Sequence, residues 1–70
     1  MTVEKAIELY KKDYDRPVNG YWKEGKNIIL NVKPRIQDEP AQWMVTDSGQ
    51  VYNTNPLRSP VIMQQKMIKL

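Results

Sequence analysis

The chain predicts an α+β fold, an N-terminal amphipathic helix packed on a small antiparallel sheet of about four strands in two hairpins. Three observations carry this reading. Apolar side chains recur at helical spacing near the N-terminus, two β-rich runs each fold back near a glycine, and prolines separate the pieces. Seventy residues make one small domain, with segments at about 2–14, 20–33, 42–53 and 60–70.

The helix starts at Thr2, a good N-cap, and runs to about Tyr14. Val3, Ala6, Ile7, Tyr10 and Tyr14 fall within roughly 100° of one another, with Leu9 at the flank. Glu4, Lys5, Glu8, Lys11 and Lys12 cover the rest. A helix this short is marginal alone, so its apolar stripe must pack on something. Asp15-Arg16-Pro17 ends it, because the residue before proline is pushed out of the helical region. Asn19-Gly20 reads as a further turn.

The first hairpin joins Tyr21-Trp22-Lys23 to Asn27 through Lys33 across Glu24-Gly25-Lys26. A two-residue turn at Gly25-Lys26 places Tyr21 on the face of Ile28, Leu30 and Val32. A three-residue loop ending in Gly25 places Trp22 there instead, because a one-residue slip exchanges the faces. Either register leaves one large aromatic on the second face beside Ile29.

Pro34 and Pro40 bracket a loop. The second hairpin then turns at Asp47-Ser48-Gly49, a three-residue loop whose last position needs the left-handed backbone that glycine tolerates. This pairs Thr46 with Gln50, Val45 with Val51, Met44 with Tyr52 and Trp43 with Asn53. Trp43, Val45 and Val51 then share the face that meets the helix. Met44, Thr46, Gln50 and Tyr52 face the other way.

The C-terminal segment is helix or strand, with helix the better fit. Ser59 would cap that helix, Pro60 would take its first position, and Met63, Met67 and Leu70 would form a stripe. Val61 and Ile68 would lie on its far side.

Composition narrows the chemistry. Without cysteine there is no disulfide, no thiolate nucleophile and no Cys-based zinc site. Without histidine there is no ready proton shuttle near neutral pH. Ser48 has no base to activate it and belongs to the turn. Asp13, Asp15, Asp38 and Glu39 are the acids an enzyme would have to use, and their spacing calls for no shared cleft. Asp38, Glu39 and Asp47 have no loop spacing to hold a metal. The expectation is a non-enzymatic protein with no cofactor and no metal. No signal-peptide pattern opens the chain and no apolar run is long enough to span a membrane, which gives a cytoplasmic, non-membrane protein as the expectation.

Residues 1–47 carry eight basic and eight acidic side chains; the net +3 comes from Arg58, Lys66 and Lys69 in an acid-free remainder. Lys33, Arg35, Arg58, Lys66 and Lys69 could meet phosphates while sheet aromatics stack on bases. This makes single-stranded nucleic-acid binding the alternative reading. The leading reading is a small protein-binding module of inhibitor, adaptor or regulatory type, associating with itself as a homodimer or with a protein partner. Two Trp, four Tyr and four Met exceed what one short helix can cover, and these residue types are enriched at interfaces. Trp22, Met44, Tyr52, Met63, Met67 and Leu70 are the expected partner-binding residues. In the competing monomeric reading, the C-terminal segment folds back over the second face.

The order of a helix with Thr2 and Ala6-Ile7, an exit at Pro17-Val18 and a late Asp47-Ser48-Gly49-Gln50-Val51 turn is similar to that of PepSY-type small domains. The shared positions are few, and any helix-plus-hairpin domain would share them. The resemblance implies an exported or membrane-tethered setting, whereas this chain shows no export signal.

Overall fold

The computed structural model describes residues 1–36, 39–54 and 67–70. One helix, α1 (Val3–Asp13), packs on an antiparallel sheet of five strands. These are β1 (Val18–Glu24), β2 (Asn27–Val32), β3 (Gln42–Val45), β4 (Val51–Asn53) and β5 (Ile68–Lys69), in spatial order β4-β3-β2-β1-β5. The sheet therefore has one strand more than the sequence suggests.

Thr2 caps α1 as its type predicts. Its Oγ1 accepts a hydrogen bond from the Lys5 amide at 3.1 Å, satisfying a donor that has no partner inside the helix. The helix ends at Asp13, and Tyr14 turns into extended backbone while its amide still bonds the Tyr10 carbonyl. Ala6 and Tyr10 are buried against Ile28, Leu30, Val32 and Val45, with Val3, Ile7, Leu9, Tyr21, Trp43 and Val51 around them. Burying such aliphatic side chains contributes roughly 1.5–3 kcal/mol each before entropy is counted, so this helix-side core is the main stabilising feature. At its margin the Tyr10 ring stacks on Tyr14 and both are tilted against Trp43, with centroids 4.3 to 5.7 Å apart.

Both hairpins follow from their glycines. Gly49 adopts φ +93°, Thr46 and Gln50 close the loop by a 2.8 Å backbone bond, and the pairs are Val45–Val51, Met44–Tyr52 and Trp43–Asn53. Gly25 adopts φ +59° while Lys26 does not take a positive φ. That combination suits the two-residue turn with glycine at its first central position. The pairs are then Tyr21–Leu30 and Trp22–Ile29, so Tyr21 faces the helix and Trp22 the second face.

One expectation is corrected and one open choice is decided. Asn19-Gly20 is not a turn: it lies inside β1, at an irregularity between Val18 and Gly20. Gly20 has no positive φ; its role is steric. A Cβ there would lie 2.5 Å from Met67 Sδ and 2.6 Å from Met67 Cγ. Glycine within a strand commonly marks such a close approach. Residues 67–70 are likewise not helical. Ile68–Lys69 forms β5, paired antiparallel as Tyr21–Ile68 and Gly20–Lys69, with the Leu70 amide bonded to the Asn19 carbonyl at 3.1 Å. The unpaired backbone of β1 supplies hydrogen bonds that outweigh weak helical periodicity. Ser59, Pro60 and Met63 lie outside the described residues.

Candidate interaction site

The second face of the sheet, away from α1, carries Trp22, Ile29, Gln42, Met44, Tyr52 and Thr54 in register. Its centre is closed within a single chain. Ile29 is fully buried and Trp22 is only 3% exposed. The sequence places Trp22 among the expected partner-binding residues; in the structure it is buried. Met67, seated over Gly20, lies on this same side. Among the described residues, Trp22 Nε1, Gln42 Oε1 and Thr54 Oγ1 are buried here without a hydrogen-bond partner.

The remaining predicted contact residues separate to opposite edges of the sheet. Met44 and Tyr52 sit at the β4 side, where the Tyr52 hydroxyl donates to Met44 Sδ at 3.0 Å and Tyr52 is 47% exposed. Met67 and Leu70 sit at the β5 side. Three strand spacings separate Met44 and four separate Tyr52 from β5, about 14 and 19 Å at ~4.8 Å each. They do not form one patch. Met63 lies outside the described residues.

The β5 side is the more apolar of the two. Ile68 is 54% exposed and Leu70 is 61% exposed. Helix α1 packs on β2 and β3, so this margin lies beside the helix rather than beneath it. Tyr21, Trp22, Lys23 and Ile68 line an open cleft of about 450 Å³ here. Ile68 is the residue that sequence reasoning misses. A helical reading of 60–70 sends it to the far side, while pairing with Tyr21 brings it to the cleft. Gly20 inside a β-rich run is the signal that points to strand docking.

At the opposite edge, Leu9, Lys12 and Asp13 of α1 and Gly49 through Tyr52 line a second cleft of about 530 Å³. Among the described candidate acids only Asp13 lines it, and Lys12 stands beside it. Asp15 is exposed, and Asp38 is outside the described residues. Glu39 is held between two arginines: Arg16 Nε is 2.7 Å from Oε1, Arg35 Nε is 3.5 Å from Oε2, and the Arg35 amide donates to Oε2 at 3.0 Å. The Arg16 hydrogen bond is the leading cause that lowers the pKa of the Glu39 carboxyl, partly opposed by its burial. Burial raises the Tyr10 phenol, whose hydroxyl is buried without a partner. Ser48 Oγ lies 2.9 Å from Thr46 Oγ1, inside the turn. No group of three potential metal ligands occurs among the described residues.

Of the residues in the nucleic-acid alternative, Lys33, Arg35 and Lys69 are exposed. Strand direction brings all three to one end of the sheet, but Arg35 is engaged with Glu39. Arg58 and Lys66 are outside the described residues. No helix among the described residues is long and apolar enough to cross a membrane. Comparison with family models, curated proteins and solved structures gave no match.

Proposed function

We propose that this chain is a non-enzymatic protein-binding module that associates with itself through the β5 margin of its sheet. One observation carries the reading. Ile68 and Leu70, in and just after the two-residue edge strand β5, are more than half exposed, and Ile68 lines a cleft with Tyr21 of β1. Exposed aliphatic side chains beside an aromatic suit an interface core better than a solvated edge. A cytoplasmic location goes with the same proposal. A regulatory, inhibitor or adaptor role would follow from occupying a partner's surface.

Light scattering over a concentration series tests this. The expected mass rises above the 8.3 kDa of one chain, and Ile68→Asp with Leu70→Asp returns it to the monomer. A wild-type protein that stays monomeric at high concentration overturns self-association.

A further inference from the structure

We propose that β5 is exchanged between two copies, so that Met67–Leu70 of one copy pairs with β1 of the other and the dimer is closed by reciprocal strand transfer. The inference rests on the self-association reading above and gives it a mechanism.

The docking site for β5 is specific yet lightly held. Recognition is concentrated at Gly20, where the missing Cβ leaves space for Met67 and a side chain would meet Met67 Sδ at 2.5 Å and the Ile68 carbonyl at 3.2 Å. Around it stand two register pairs and the Leu70-to-Asn19 hydrogen bond. Each such bond contributes only about 0.5–1.5 kcal/mol net. Ile68 and Leu70 stay exposed, so the segment buries little apolar surface in its own chain. A strand held this way opens without the core unfolding.

Connectivity adds the second argument. The other neighbouring strand pairs are hairpins or, for β2 and β3, neighbours in sequence, whereas β5 follows β4 in the chain yet lies at the opposite edge. No turn ties β5 to β1. A second copy carries the identical Met67-Ile68-Lys69-Leu70 and matches the Gly20 gap and the β1 backbone equally well. Exchange therefore keeps the two register pairs, the Leu70–Asn19 bond and the seating of Met67 at Gly20. It also brings two Ile68 and Leu70 margins to one two-fold boundary, where their exposed surface can be buried.

The chain has no cysteine, so introduced thiols report pairing without interference. Tyr21 and Ile68 face each other across the β1–β5 pair, within the separation a disulfide spans. Mixing Tyr21→Cys with Ile68→Cys under mild oxidation should give a covalent heterodimer. Mixing Tyr21→Cys with Lys69→Cys, which projects to the other face, should give little. An intrachain bond in a chain carrying both Tyr21→Cys and Ile68→Cys, with no heterodimer in the mixture of single variants, overturns exchange. A second measurement guards against a misfolded cysteine variant: the mass of Gly20→Ala by light scattering. Exchange predicts loss of the dimer, because the same gap receives the strand in both copies. A Gly20→Ala protein that keeps a wild-type dimer mass overturns exchange while leaving side-chain-mediated association standing. A monomeric wild type would overturn both.

Discussion

The two edges of the sheet are built by opposite means. The β4 edge is specified locally: Gly49 at φ +93° sets the turn, and three successive pairs lock β4 onto β3. The β5 edge is specified at long range: two pairs and one methionine in a glycine gap hold a strand that returns from across the sheet. A turn holds its two strands at high effective concentration, and a distant segment must offset a larger closure entropy for fewer contacts. Local specification gives a fixed edge. Remote specification gives one that can open.

The largest contrast should come from placing alanine at each glycine. Gly49→Ala forces a Cβ into the left-handed region. The nearest atom to it, Leu9 Cδ1, would be 3.9 Å away, so the cost is conformational rather than steric. That cost is about 1–2 kcal/mol and should lower the melting temperature by at least ~4 °C for a domain of this size. Gly20→Ala meets Met67 and the Ile68 carbonyl instead. It should shift the melting temperature less while removing amide protection from β5, and adding Met67→Ala should recover part of the difference. Equal global destabilisation by both alanines, seen in thermal unfolding, would erase the distinction between the edges.

A smaller effect belongs to the loop that follows β2. The pKa of Glu39 is lowered in the folded chain, mainly by the Arg16 hydrogen bond and further by the Arg35 amide and the two guanidinium charges. The folded state therefore binds its proton less readily than the unfolded state. Its contribution is complete above the ordinary glutamate pKa of about 4.5 and is lost as pH falls through the lowered folded value. Glu39→Gln should flatten the acid limb of the stability curve and leave the β5 and β4 amides equally unaffected. An unchanged acid limb in urea titrations would contradict this assignment.

What was legible in the sequence divides along the same line. Thr2, the α1 stripe and the β3–β4 register could be read residue by residue, because each is fixed by neighbours within a few positions. The β1–β2 register stayed open between two turns until the conformations of Gly25 and Lys26 settled it. The fifth strand stood only as one of two readings of the C-terminal segment, because its determinant is Gly20, far away in the chain, where Asn19-Gly20 imitates a turn. For the site, the same long-range effect buried Trp22 and exposed Ile68. It also set Met44 and Tyr52 on β3 and β4, apart from Met67 and Leu70 at the β5 side.

Native-state hydrogen exchange at the two edges tests the central claim that β5 is a separately opening, exchangeable strand. The Leu70 amide bonds Asn19 and the Thr54 amide bonds Gln42, both at 3.1 Å, so bond length does not distinguish them. The prediction is that the β5 amides through Leu70 exchange by a small, denaturant-insensitive opening while Thr54 exchanges only with global unfolding. Leu70 and Thr54 merging onto a single denaturant-dependent line would show one cooperative sheet and contradict the account.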